Sequence, residues 1–479
     1  MCTPDLIAFQ MDIFHLSIFP FFTLSNALYF LLHSCCSGIM AFGTSKVECD
    51  MQSMCENTVA QILEEATVAQ KMLELRRTTI GNIIWKFLFK FGSDDSGDQP
   101  KFRQLLDADH VAGALYSTFM TAMQIVAELP CGKVVICYDN PLVNSPLACR
   151  PLILWFIKES VKTIKDVYND LDKQRKALLG FDWLEGIHIE FCGYYAMCDM
   201  KVLNGIIENP RQNVCPICFA TPNEVNDLDR DFEPLCYHAL SELCLSILHF
   251  AIRVFEHLIK VGARVKAGVC EFPAYGAVKQ GKIGLAKDRI IKQFKDEMDM
   301  DIFQVRPGGG TSNTGNVARD ALSQHEFMAK VTGLSVELIK RLDYIRISLA
   351  SVDELEKAPF VQYCKDTKAI YVRDCGWYPA NPTLHKIFDH PDHFLQFFPP
   401  TITTGMVSEE GSEATNKIVR RFQLEHAFQG SAQQRGLDTF NRLCDLSSPR
   451  VLVHLQDTKV NRRTKEPLPL EVQQLMKQK

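Results

Sequence analysis

No lysine or arginine occurs before Lys46. The basic leader of a secretory signal is therefore missing, and so is the positive flank that orients a membrane anchor. This matters because Ile13 to Leu32 (IFHLSIFPFFTLSNALYFLL) has the length of a membrane span and no charged residue. With His15, Pro20 and Asn26 inside it and no charge cue beside it, the stretch is expected to be a buried or adventitious N-terminal extension rather than an anchor. Positive charge is not in excess either: 52 Lys and Arg stand against 57 Asp and Glu, for a net charge of -5. That excludes a chain coated in positive potential, so any nucleic-acid binding must come from local basic stretches. Lys158 to Lys176, Lys417 to Arg421 and Arg462 to Lys465 are the candidates, although each alone reads first as a solvated face or tail. A dense cysteine framework is also missing. The 18 cysteines are scattered, which fits a reducing compartment and free thiols, and only Cys215 and Cys218 have metal-ligand spacing. Internal repeats and low-complexity tracts are not evident.

What is present is the composition of a globular protein, 47% hydrophobic and 23% charged, in a chain of 479 residues that can hold about three domain-sized units at roughly 150 residues each. Residues 51 to 79 carry apolar positions at helical spacing and predict one or two helices. Trp85, Phe87, Phe89 and Phe91 then alternate with Lys86, Leu88 and Lys90, the period of a strand, and run into Gly92 to Gly97, placing Asp94 at or just past a strand end. Val134 to Tyr138 and Leu152 to Ile157 predict further strands between turn residues. Glu159 to Leu179 predicts a charged amphipathic helix, and Ile187 to Phe191 a strand shortly before Asp199. From about 205 to 400 the pattern turns to loops and helices. Cys236 to Val261, Leu285 to Met298 and a pair within Gln324 to Ser348 make this an all-helical insertion. Ser408 to Phe428 closes the pattern as one amphipathic helix with Glu409, Glu410 and Glu413 near its start.

Two constellations point to chemistry. Two-metal phosphoryl transfer needs hard oxygen ligands, and Asp94, Asp199 and Glu413 offer three carboxylates from three elements. By spacing alone they read first as a solvated turn and a helix-dipole partner. Cys215-Pro-Ile-Cys218 presents two thiolates to one tetrahedral ion, and His385 and His390 can complete a structural zinc site. Five residues apart on a regular helix, those two rings would point about 140° apart. The LHKIFDHP segment must therefore bend before Pro391. His238, His249, His257 and His393 are nearby alternatives, and a histidine on a helical face is more often a satisfied partner than a ligand. Gly308-Gly309-Gly310-Thr311 lacks the Gly-Lys-Ser/Thr ending and the preceding strand of a phosphate loop, and is expected to be a flexible turn.

Six collinear segments resemble the Transib transposases and the related catalytic subunit of the V(D)J recombinase. They are GSDDSG (92 to 97), Asn140-Pro141 through Cys149-Arg150-Pro151, Cys198 to Val202 followed by Cys215 to Cys218, LHFAIRVFEHLI (248 to 259), GGGTSNTGNVARDAL (308 to 322) and SEEGSEATNKIVRRF (408 to 422). The likeness covers roughly residues 80 to 445, and its weight lies in the order of the segments rather than in any one of them. Asp94, Asp199 and Glu413 take the places of the catalytic carboxylates, and Cys215, Cys218, His385 and His390 those of the zinc ligands. Asp95 stands where the family usually has Gly, and neither a RING-type cysteine pattern nor a basic repeat-binding domain is evident upstream.

The resemblance implies an α/β protein, an RNase H-like catalytic core interrupted by a mostly helical zinc-containing insertion. Its expected divisions are an apolar extension (1–45), a helical pre-domain (46–80), the first part of the core (81–205), the insertion (206–400), the Glu helix completing the core (401–445) and a tail (446–479). The implied enzyme is a nuclear homodimer, with a possible accessory subunit, acting on double-stranded DNA at terminal repeats or recombination signals. With two Mg2+ or Mn2+ ions it nicks one strand, then uses the released 3′-hydroxyl to form a hairpin. A catalytically decayed, host-adopted, zinc-bearing DNA-binding protein is the alternative.

Overall fold

The computed structural model describes residues 39–42, 46–96, 114–207, 213–235, 246–305, 311–427, 432–452 and 467–477. The apolar stretch 13 to 32, His238, Gly308 to Gly310 and the Arg462 to Lys465 cluster lie outside them. Among the described residues, no helix is long and apolar enough to cross a membrane.

One mixed sheet organises the first half of the chain. Short strands β1 (Ile39–Phe42) and β2 (Lys46–Cys49) lead into helices α1 (Met51–Leu63) and α2 (Ala66–Thr78). The long strands β3 (Ile84–Ser96) and β4 (Leu115–Glu128) follow, then β5 (Val134–Asp139) and β6 (Arg150–Trp155). Helix α3 (Val161–Lys176), strands β7 (Phe181–Asp182) and β8 (His188–Tyr195), and helix α4 (Met200–Ile206) complete this half. The strand order is β1-β2-β6-β4-β3-β8-β7, with β5 paired to β4. The β3–β4 and β4–β6 pairs are antiparallel, whereas β8 runs parallel to β3.

The sheet is covered on both faces, and this explains the sequence pattern. Phe87, Phe89 and Phe91 pack with Met54, Ile164, Val419 and Phe440 on one side, while Leu88, Met123 and Val126 meet Ile402, Met406 and Val407 on the other. Helices α1 and α2 share this core with the sheet. β4 was not foreseen at all, because a strand buried on both faces shows no alternation, and all but the last of its residues are buried. Asp94 is among the last residues of β3, which runs to Ser96, and is paired with Ser117, so it stands at the strand's end rather than past it.

The second half is mainly helical and has its own core. It comprises α5 (Ile247–Ala267), α6 (Ala277–Met298), a ribbon of β9 (Gln304–Val305) and β10 (Thr311–Ser312), α7 (Gly315–Ser323), α8 (His325–Thr332), α9 (Val336–Ala350), α10 (Lys357–Cys375), α11 (Pro382–Asp389) and α12 (Pro391–Leu395). The ribbon makes the insertion mostly rather than wholly helical. Phe250, Phe255, Phe294, Leu342, Tyr371 and Leu384 build its core. The chain returns to the sheet through α13 (Glu410–Arg421) and α14 (Ala432–Leu446) and ends in α15 (Leu470–Gln473). The helix expected over Ser408 to Phe428 is shorter: α13 stops at Arg421 and a π-helical turn spans Phe422–His426.

Candidate functional site

Close backbone approach brings the first two carboxylates to one end of the sheet. After β8 the chain crosses β3, with Ala196 N and Met197 N both donating to Phe91 O at 3.0 and 3.2 Å. Gly92 is required there, since a Cβ at this position would lie 2.0 Å from the Met197 carbonyl oxygen. The crossing ends at Asp199, which caps α4 by accepting from Val202 N at 2.8 Å. Glu413 arrives from α13, whose first turn packs so closely on the Ser145 to Cys149 segment that a Cβ at Gly411 would sit 3.0 Å from Cys149 Sγ.

The helix is tied to the sheet by polar contacts. Asn416 Nδ2 donates to Asp94 Oδ2 at 2.8 Å, and Ser117 Oγ donates to Asn416 Oδ1 at 2.9 Å. Lys90 is fully buried, and its ammonium donates to Ser408 O at 2.6 Å and Asn144 Oδ1 at 2.8 Å.

The electrostatics mark the three carboxylates as neighbours. Burial, then the charges of Glu413 and Asp199, push the Asp94 carboxyl well above the usual carboxylate range, and His249 opposes them. Glu413 is raised by burial and by Glu409 and Asp199, again against His249. Carboxylate oxygens are the hard donors that a divalent ion takes. The grouping is not a tight one: among the described residues, only the cysteine and histidine set below brings three or more ligand atoms within 4.8 Å of one another. Asp95 is raised by burial, then lowered by Lys201 and raised by Asp199. Lys201 is itself paired with the buried Glu159.

His249, weighed as an alternative zinc ligand, belongs to this end of the molecule. Its Nδ1 is 3.3 Å from Glu409 Oε1 and its Nε2 is 3.4 Å from Glu413 Oε1. Burial alone would lower its pKa, but the hydrogen bond and charge of Glu409, with Glu413 behind, raise it to about 9. Sequence could not have found this role, which depends on a contact between the insertion and α13.

The second centre is as expected. Ligand atoms of Cys215, Cys218, His385 and His390 lie within 4.8 Å of one another, all four residues buried. Cys218 Sγ is 3.2 Å from His385 Nε2. Both ring nitrogens of His390 are buried without a hydrogen-bond partner, and a bound ion would give one of them a partner. The required bend is present: α11 ends at Asp389 and His390 is its non-helical cap at φ -124°. His385 Nδ1 lies 2.8 Å from Asp389 Oδ2, suited to orienting the ring. Burial would raise the Cys215 thiol, yet hydrogen bonds from Cys218 and nearby amides hold it below its ordinary value, favouring a thiolate. This buried set can bind a metal such as zinc. Of the other histidines, His257 is committed to Tyr371, while His393 lies beside His390. Comparison of the chain with protein-family models and with curated proteins finds no match.

Proposed function

We propose that this protein is the catalytic core of a DNA-cutting transposase or recombinase, an RNase H-like enzyme in which Asp94, Asp199 and Glu413 hold two divalent ions. The observation that carries the reading is that a central strand, the segment after its parallel neighbour and a closing helix bring these three carboxylates to one end of the sheet, with Asp94 bonded to Asn416 of the helix that carries Glu413. The strand order β6-β4-β3-β8, three antiparallel strands and a fourth parallel to β3, supports an RNase H-like core.

Bound Mg2+ or Mn2+ would supply Lewis-acid polarisation of the attacking oxygen and charge neutralisation at the leaving one. The chain's residues do the positioning. Asn416 orients the Asp94 carboxylate and His249 holds Glu413. The Cys2His2 set would hold zinc and pin the two ends of the insertion together. Nicking then depends on added Mg2+ or Mn2+, and the 3′-hydroxyl it frees is the nucleophile for a hairpin-forming second step. Incubating purified protein with duplex DNA tests this. Nicked product with Mg2+ or Mn2+, suppressed by EDTA, is expected; DNA and zinc binding without nicking in either ion would instead identify a decayed DNA-binding protein.

A further inference from the structure

Glu409 lies outside the carboxylate triad and is buried at 3% exposure, whereas Asp94, Asp199 and Glu413 are half-buried. It meets the start of α5, the long helix of the insertion. Its carboxylate accepts from the backbone N–H groups of Ile247 and Leu248, each at 3.1 Å, and of His249 at 3.3 Å, and it also pairs with the Ser246 hydroxyl. These donors belong to the first turn, which has no partners within its own helix, and an anion is favoured at that end. A simple cap would stop there.

This one continues. Glu409 Oε1 is 3.3 Å from His249 Nδ1, and the other ring nitrogen of His249 is 3.4 Å from Glu413 Oε1. The backbone closes the circuit, because Glu413 N donates to Glu409 O at 3.2 Å. The start of α5, Glu409, the His249 ring and Glu413 thus form a ring of contacts joining the insertion to the helix that carries Glu413. Arg319 of α7 pairs with Glu410 beside it, a second link from the same insertion.

We propose that Glu409 is a positioning residue for Glu413. By clamping the first turn of α5 it seats the His249 ring against Glu413, and so fixes where that carboxylate stands relative to Asp94 and Asp199. The inference rests on the proposed role of Glu413 as a metal ligand. Glu409 touches neither DNA nor ion; it acts through His249.

The test uses the full chain with Glu409→Gln, Glu409→Ala, His249→Gln and the double variants. The readouts are the Mg2+ concentration for half-maximal nicking, Mn2+ binding without DNA, zinc per chain and the thermal midpoint. Glu409→Ala is expected to raise the Mg2+ requirement on the order of 10- to 100-fold and to weaken Mn2+ binding in parallel, with zinc retained. Glu409→Gln keeps an acceptor for the α5 amides and should lose less. His249→Gln should add little once Glu409 is gone, because the two act as one unit. A lower thermal midpoint with unchanged Mg2+ requirement and Mn2+ affinity would reduce Glu409 to a helix cap and overturn the proposal. If Glu409→Ala does not fold, Glu409→Gln decides: a wild-type Mg2+ requirement, or effects that simply add to those of His249→Gln, overturns it. Wild-type protein that neither binds Mn2+ nor nicks sinks both this inference and the function it rests on, whereas wild-type nicking with indifferent Glu409 variants sinks this inference alone.

Discussion

The Asn416 amide donates to Asp94 Oδ2 across 2.8 Å, joining two residues 322 positions apart in the chain. Because Asn416 also accepts from Ser117 on the adjacent strand, it ties helix α13 to β3 and β4 at once. Replacing Asn416 with Ala should reduce nicking ~10- to 100-fold by freeing the Asp94 carboxylate. Asn416→Asp should be worse at low Mg2+, since it adds a like charge to a cluster already raised by repulsion. Initial nicking rates over a Mg2+ titration check this; an Asn416→Asp variant as fast as wild type at every concentration would refute it.

Zinc should be needed for the insertion to hold together. Cys218 and His385 lie 167 positions apart, and the ion would close the long loop between them. His390→Ala or Cys218→Ser should drop zinc content well below one per chain and cost about 3 kcal/mol or more, since the remaining ligands stay buried without partners. Metal analysis with chemical denaturation measures both. Full zinc content in His390→Ala would remove His390 from the ligand set.

A pH effect should come from His257. Tyr371 donates its hydroxyl proton to Tyr378 O at 2.9 Å, so the His257 Nε2–H, 2.8 Å away, must donate to Tyr371. Burial, with Lys260 and Arg264 nearby, lowers the His257 pKa from 6.5 to about 3, and the folded state therefore keeps the ring neutral. The unfolded chain binds the extra proton between those values. Stability from this residue is complete above pH 6.5 and falls by ~1.4 kcal/mol per pH unit as pH drops towards 3. Denaturation midpoints from pH 7 to pH 5 should decline more steeply for wild type than for His257→Gln. Parallel declines would contradict the assignment.

Much of this was legible in the sequence, for physical reasons that differ by element. The aromatic alternation of Trp85 to Phe91 announced β3 because its large side chains fill one face of the sheet. The CxxC turn and the interrupted helix at His390 announced the Cys2His2 set, since metal ligation leaves few spacings open. β4 gave no signal, being buried on both faces and shifted by bulges at Thr118/Phe119 and Ile125/Val126. The burial of Lys90 had no sequence signal either, because it depends on Ser408 O and Asn144 Oδ1, acceptors brought in from distant segments. Glu409 was legible as a neighbour of Glu413, one helical turn away, but its clamp on α5 and the placement of His249 arise only when the insertion folds back on the sheet.

The central claim is tested most directly by single-turnover nicking of duplex DNA in Mg2+ by wild type, Asp94→Ala, Asp199→Ala and Glu413→Ala, with zinc content and DNA binding measured on the same preparations. Wild type should nick, while each variant should lose nicking and keep zinc and DNA binding near wild-type levels. Asp95→Ala should still cut, because adjacent residues of a strand point to opposite faces and Asp94 is the one bonded to Asn416 of the Glu413 helix. If Asp94→Ala and Glu413→Ala both cut at the wild-type rate, the three carboxylates are not the catalytic centre and the account fails.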